Sequence, residues 1–376
     1  MQLSVVILNY NVRYFLEQCL LSVQQATSKL DAEIIVIDNA SADDSCQMVK
    51  ERFPQVTLIE NTDNVGFSKA NNQAVAIAKG EYLCILNPDT AVPHHAFEQC
   101  LAFADAHPDM GGLGIHYMDG TGNFLPESKR NLPTPGRSLM KLLGFTKGKY
   151  GYYAKHLSPT ETGKVAILAG AFLFVKKSVY DAVGGFDEDY FMYGEDIDLS
   201  YKFTKAGYQN YYKGDLKFLH YKGESTQKDK AYLDRFYGAM QIFYQKHFNT
   251  NVLLKSFVNL GVGVTKFWRE LRLKKQQPEK LVLTEALVIT QDLGVLKQLS
   301  EQLEIPVRSV ALRIVEEDVH QQKMLIFDAA FVSYERIFDI MKLQRGQGNS
   351  FRIKPPGCTY LLGSDLSDAK GEVVVL

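Results

Sequence analysis

Four short β-rich runs recur through the first ~100 residues with helical patterns between them, and no other feature limits the possible folds as strongly. The runs are Val5–Leu8, Glu33–Ile37, Val56–Glu60 and Tyr82–Leu86. Val5–Leu8 is continuously apolar, as expected of a strand covered on both faces. Between the runs lie helical patterns at Tyr14–Ala26, with Phe15, Cys19, Leu20 and Val23 on one side, and at Ser68–Lys79. Another helix is expected after Ser41, a candidate N-cap, with Asp43 and Asp44 suited to its positive end. This spacing predicts an α/β fold with parallel strands wrapped by helices. Ligands of such sheets bind beyond the carboxyl ends of the strands. Three polar clusters fall at such ends: Asn9-Tyr10-Asn11, Asp38-Asn39 and Asn87-Pro88-Asp89.

A chain of 376 residues exceeds one typical core, so two domains are expected. Forty-two Lys and Arg balance 43 Asp and Glu, for a net charge of −1. So even a balance provides no global field for gripping nucleic acid, and any anionic partner must meet a local cluster. The five cysteines (Cys19, Cys46, Cys84, Cys100 and Cys358) are scattered without a CxxC pair, which predicts reduced core thiols in a reducing compartment. The opening Met1–Leu8 lacks a basic region and a small-residue cleavage site, so it reads as a first strand and not as a signal peptide. No uncharged apolar run approaches the ~18 residues of a spanning helix. A cytoplasmic protein is expected.

Beyond residue 110 the pattern loosens into Gly, Pro and Tyr as far as Lys164. A strand-like run, Val165–Val175, is interrupted by Gly170. Phe191-Met192-Tyr193-Gly194-Glu195-Asp196-Ile197-Asp198-Leu199 opens a helix, and a strand at Asp215–His220 ends before Tyr221-Lys222-Gly223-Glu224-Ser225. Val252–Lys275 places Phe257, Leu260, Val264, Trp268 and Leu271 on one helical face and carries six basic residues against one acidic. That segment suits a helix lying on an anionic membrane surface, or one packed on the preceding α/β domain with a solvated basic side. After a linker at Gln276–Lys280, strands are expected at Lys280–Ile289, Val307–Val315, Lys323–Asp328 and Glu372–Leu376, with helices at Leu293–Leu303 and Tyr334–Gln344. The expected domains are therefore residues 1–250, a basic segment and linker at 251–277, and a small α/β unit at 278–376.

Asp89 stands just past a buried strand, where one carboxylate could join phosphate and water around Mg²⁺ or Mn²⁺, yet Asn-Pro-Asp is also a common turn sequence. Asp38 could be a ligand contact or a helix cap. Glu195-Asp196 follows an aromatic stretch that can raise a carboxylate toward a useful base, but the pair also suits the first turn of a helix. His220, at a strand end, could serve a metal or a diphosphate, or be an ordinary half-buried histidine.

Seven ordered motifs bring these residues into one pattern: VVILNYN, IVIDNAS, NVGFSKANN, YLCILNPD, LAGAFLFVKKS, GGFDEDYFMYGEDIDLSYK and HYKGES. Over roughly Leu3 to Thr226 the chain resembles family 2 glycosyltransferases of the GT-A fold, and most closely their rhamnosyltransferase branch. The resemblance implies a GT-A-type, Rossmann-like mixed sheet flanked by helices, with a small C-terminal α/β domain beside it. It implies that Asp38 contacts the nucleotide base or ribose, with Asn9, Asn11, Asn64, Gly66, Phe67, Asn71 and Asn87 lining the donor site. It further implies Asp89 as metal ligand with help from His220, and Glu195-Asp196 as catalytic pair with Asp196 the favoured base. Asn87 stands where many relatives carry Asp. Past Pro278, the stretches Phe351–Pro356 and Leu361–Ser364 are similar to the nucleotide-binding-like domain of bacterial undecaprenyl-phosphate sugar transferases. The expected activity is inverting transfer of a sugar, rhamnose on a thymidine diphosphate carrier being the leading candidate. The acceptor would be a saccharide or lipid-linked saccharide. A nucleotidyltransferase and a non-catalytic sugar-nucleotide scaffold are the alternatives from other classes.

Overall fold

A computed structural model describes residues 1–134, 151–222, 230–248, 281–367 and 370–376. Strand and helix alternate through β1 (Leu3–Asn9), α1 (Arg13–Thr27), β2 (Ala32–Asp38), α2 (Ser45–Arg52), β3 (Thr57–Glu60), α3 (Phe67–Ile77) and β4 (Tyr82–Leu86). The chain continues through β5 (Thr90–Ala91), α4 (Ala96–Ala106), β6 (Met110–Met118), β7 (Lys129–Arg130), β8 (Gly163–Val165), β9 (Ile167–Leu168) and β10 (Phe172–Lys176). α5 (Lys177–Ala182), α6 (Glu195–Lys205), β11 (Gln209–His220) and α7 (Lys230–His247) follow. Nine strands form one mixed sheet, ordered β3-β2-β1-β4-β10-β6-β11-β5, with β8 also on β11. Its β3-β2-β1-β4 half is parallel, while β10 runs antiparallel to both β4 and β6. Register puts Asn9 opposite Asp38 and Ile7 opposite Leu86, so the polar strand ends emerge together on one edge. Alternate β1 residues feed two cores, Val5 and Ile7 against α1 and Val6 against α3, which explains its unbroken apolar run.

Several expectations shift. Ser41 does not cap a helix: α2 starts at Ser45 with Asp44 at its N-cap, and Ser41 turns back to Asp38. The run expected at Val165–Val175 divides into β8, β9 and β10, broken by a bend at Ala166 and again by the turn at Gly170 and Ala171. β11 begins at Gln209, earlier than expected, with a register irregularity between Lys213 and Lys217 that obscures its alternation. β6 crosses the core where only a loosened pattern was visible. Its glycines hide the strand signal for a packing reason: a Cβ on Gly111 would lie 2.7 Å from Phe203, and one on Gly112 would lie 2.9 Å from Leu168.

The second sheet contains β12 (Glu285–Ile289), β13 (Val307–Ser309), β14 (Lys323–Asp328), β15 (Ser350–Lys354), β16 (Tyr360–Gly363) and β17 (Glu372–Val375). Helices α8 (Leu293–Gln302), α9 (Leu312–Glu317) and α10 (Tyr334–Gln344) cover it. The expected strand at Val307–Val315 is a strand only to Ser309 and then becomes α9. The order is β13-β12-β14-β15-β16-β17, parallel through β15 and antiparallel after it. Leu287, Leu325, Tyr334 and Phe338 of this unit share one apolar cluster with Phe15, Met118, Leu219 and Tyr221. Residues 223–225 of the HYKGES motif, the basic segment Val252–Lys275 and the linker at Gln276–Lys280 lie outside the described residues.

Candidate active site

The ends of β1 and β2 form one hydrogen-bonded cluster. Buried Asn9 donates from Nδ2 to Asp38 Oδ1 at 2.7 Å. Ser41 donates to the same carboxylate from its hydroxyl at 2.6 Å and its backbone N–H at 2.8 Å. Asn11, at φ 55°, accepts from the Ala42 N–H through Oδ1 at 2.7 Å, so the loops after the two strands are tied together. Asn39 extends the cluster by donating to Asn64 Oδ1 at 2.8 Å, and the same oxygen accepts from the Gly66 N–H at 3.1 Å. Gly66 holds φ 87°, and a Cβ there would lie 2.6 Å from the Phe191 carbonyl oxygen. The Phe67 N–H donates to that carbonyl at 2.6 Å. Asn71 is fully buried and donates to the Phe67 carbonyl at 2.9 Å, so it braces the start of α3 from within and does not line a surface.

At the end of β4 the Asn87 N–H donates to Ala171 O at 3.0 Å, and the Asn87 carbonyl accepts from the Thr90 hydroxyl at 2.8 Å. The turn delivers Asp89 to the start of β5, whose pairing with β11 sets Thr90 opposite His220. Asp89 Oδ1 and His220 Nε2 are 3.4 Å apart, both nearly buried. Asp89 Oδ1 and His220 Nδ1 each lack a hydrogen-bond partner among the described residues. A buried carboxylate oxygen without a donor is costly unless a cation or ligand meets it, so the pair fits a divalent ion completed by phosphate oxygens and water. Among the described residues no group of three or more His, Cys, Asp or Glu converges, so Asp89 and His220 would be the ligands that the described residues contribute.

Glu195 and Asp196 open α6. The helix follows two left-handed residues, Tyr193 at φ 70° and Gly194 at φ 80°, and its first turn also carries Asp198. Three carboxylates here suit the positive end of the helix dipole, but their surroundings differ. Asp196 Oδ2 accepts from Arg130 Nη2 at 2.5 Å and from the Gly170 N–H at 3.2 Å, while Oδ1 accepts from the Ile197 N–H at 2.7 Å. Glu195 is buried, with Oε2 unpartnered among the described residues. Burial first, then the Asp196 charge, push its carboxyl up to about 8, against smaller opposing effects of its own N–H and Arg130. Burial alone would favour a neutral Arg130, but Asp196 and then Tyr152 outweigh it and hold the guanidinium firmly charged. A cavity of about 90 Å³ adjoins the pair, lined by Arg130, Tyr193, Glu195, Asp196, Phe236 and Met240. A wider hollow of about 430 Å³ at Asp339, Lys342, Leu343 and Arg345 lies on α10 and collects no such chemistry.

One short loop joins the three clusters. Ala171 binds Asn87, Gly170 binds Asp196, and a Cβ on Gly170 would sit 3.9 Å from the Phe67 ring. The polar strand ends, the Asp89–His220 corner and the acidic helix start therefore border one region. Sequence reasoning missed Arg130, which sits in a short strand within the stretch of loosened pattern, and it missed α7, which supplies Phe236 and Met240. It also left Asn39 without a role. No motif marked Arg130, because its partners stand 38 and 66 positions away.

Residues 4–184 match the family model described as Glycosyl transferase family 2. The chain is 33% identical over 245 residues to an N-acetylglucosaminyl-diphospho-decaprenol L-rhamnosyltransferase of Mycobacterium tuberculosis, a match spanning 61% of this chain and 79% of the relative. It is 29% identical over 164 residues to rhamnosyltransferase WbbL of Escherichia coli K12, spanning 42% of this chain and 61% of the relative. Among solved structures it is similar to a mannosyltransferase from Pyrobaculum calidifontis in complex with GDP-Man and Mn²⁺. That likeness has TM-score 0.48 and 17% identity, over 74% of this chain and 76% of the other. With a mixed sheet whose strand ends carry the motifs, and a rhamnosyltransferase relative matched over most of its length, the chain belongs to family 2 of the glycosyltransferases.

Proposed function

We propose that this glycosyltransferase works by inversion, in a single displacement, to transfer rhamnose from a thymidine diphosphate carrier to a hydroxyl of a lipid-linked saccharide. The product would serve cell-surface polysaccharide synthesis. The donor sugar and acceptor class rest on the Mycobacterium tuberculosis relative, whose name carries both. The carrying observation is the single loop, residues 169–171, that ties the Asn87 turn to Asp196, so a diphosphate corner and a base border one space. In this reading Asp38 and its cluster receive the nucleoside. Asp89 and His220 would hold a Mg²⁺ or Mn²⁺ ion, whose chemistry is to neutralise charge on the departing diphosphate. Asp196 takes the acceptor proton as the hydroxyl oxygen attacks the anomeric carbon, and the diphosphate leaves with the electron pair of the broken bond. Neutral Glu195 offers a hydrogen-bond donor beside that base. No covalent nucleophile is required, and no Gly-rich triphosphate loop follows β1, so a nucleotidyltransferase is the weaker reading.

Residues 1–250 would form the catalytic unit and 278–376 an accessory unit, with the cytoplasmic enzyme drawn to anionic lipid by Val252–Lys275. No helix among the described residues is long and apolar enough to cross a membrane. The direct test is a panel of nucleotide sugars, with and without Mg²⁺ or Mn²⁺, read by melting temperature. A selective donor at 100 times its Kd should add about 2.7 kcal/mol of stability. Stabilisation by dTDP-rhamnose that needs the metal and vanishes in Asp89→Ala is the expected result. Equal response to every nucleotide sugar would refute the donor assignment.

A further inference from the structure

We propose that Arg130 is a positioning residue that fixes the negative charge of the Glu195-Asp196 pair on Asp196 and holds that carboxylate in one orientation. The inference rests on the reading of Asp196 as the base. Two adjacent carboxylates at a buried helix start repel if both ionise, so their surroundings decide which one keeps the charge. Among the described residues Asp196 has three donors: the Arg130 guanidinium, the Gly170 N–H and the Ile197 N–H. Glu195 Oε2 has none among the described residues. The guanidinium is the only charged one of these donors.

Arg130 is itself held in place. Its strand β7 pairs with β9, setting Arg130 opposite Ile167. Nη2 also donates to the Leu168 carbonyl at 2.5 Å, and Nη1 reaches the Tyr152 hydroxyl at 3.4 Å. The side chain thus ties β9 at Leu168 to the first turn of α6 across the Gly170 turn. Among the described residues Glu195 and Tyr117 are ionisable groups that feel this carboxylate, and the buried Tyr117 phenol, pushed well above its usual range by burial, stays neutral. A charged hydrogen bond that is nearly dry is stronger than a neutral one and sets direction as well as charge.

The experiment compares Arg130→Lys and Arg130→Met with the parent and with Asp196→Asn, measuring kcat, donor KM and the pH profile of transfer. The Met variant should lose at least a hundredfold in kcat with donor KM within about threefold, and the acid limb of its profile should move to higher pH by a unit or more. Lysine keeps charge without the planar fork, so Arg130→Lys should recover part of kcat and restore the position of the limb. Wild-type kcat and an unmoved limb in a folded Arg130 variant, or a loss confined to donor KM, overturns the inference. Full activity in a folded Asp196→Asn variant instead overturns the reading of Asp196 as base.

Infrared difference spectra of the parent at pH 7 cover the case in which neither Arg130 variant folds. A protonated carboxyl band abolished by Glu195→Gln is the expected result. A spectrum in which Glu195→Gln removes no protonated carboxyl band overturns the proposal.

Discussion

Glu195 and Asp196 are chain neighbours with opposite surroundings, and this difference assigns their chemistry. Asp196→Asn should lower kcat by about 10²–10⁴, the range of a lost general base, with donor binding retained. Glu195→Gln keeps the shape and a donor, so its loss should be about tenfold or less. Glu195 also makes stability depend on pH. Its carboxyl moves from an ordinary 4.5 to about 8 on folding, chiefly through burial and then through the Asp196 charge. Between those values the folded chain keeps a proton that the unfolded chain releases, so stability falls as pH rises from about 5 to about 8. Urea denaturation across that window should show the decline flattened in Glu195→Gln. An equal decline in both proteins would place the proton elsewhere.

At the scale of elements, left-handed glycines aim the two ends of the site. Gly194 caps α6 at φ 80°, and a Cβ there would lie 3.1 Å from Ala239 of α7. Gly194→Ala should cost about 1–2 kcal/mol from the left-handed backbone alone, seen as a melting point a few degrees lower. Its kcat should fall more than its donor affinity, because the first turn of α6 carries the base. Gly66→Ala acts at the other end: its Cβ would meet the Phe191 carbonyl at 2.6 Å, so donor KM should rise while Asp196 is untouched. Melting curves and initial rates check both. Helix and strand boundaries through β4 were legible to within two residues except at α2, which starts at Ser45 because Ser41 turns back to Asp38 and does not cap it. β6 was not legible, since the glycines that admit Phe203 and Leu168 remove its side-chain pattern.

Taken whole, the molecule joins its two sheets through a buried seam. Fully buried Glu17 of α1 accepts from the Tyr360 hydroxyl at 2.8 Å and pairs with Arg13 at 3.3 Å and with Arg52. Lys217 of β11 pairs with Asp339 of α10, and Gly122 meets the backbone of Met341 so closely that no side chain fits there. Tyr221, whose N–H donates to the Asp89 carbonyl at 3.0 Å, packs its ring on Phe15 within the shared apolar cluster. The C-terminal unit therefore backs the strand that carries His220. The described units should unfold in one cooperative thermal transition, and two separate transitions would count against a shared core. Glu17→Gln should cost about 1–3 kcal/mol by urea denaturation, discounted because both arginines keep some solvent. The sequence alone determined the alternating strands and helices, the polar strand ends and the order of the family motifs, because each is written in local periodicity or in contiguous residues. Only the tertiary structure decided that Asp196 is clamped by Arg130 while Glu195 Oε2 has no donor among the described residues, and that the C-terminal sheet shares a core with the site. Those facts depend on burial and on partners 66 and 343 positions apart, which no local pattern encodes.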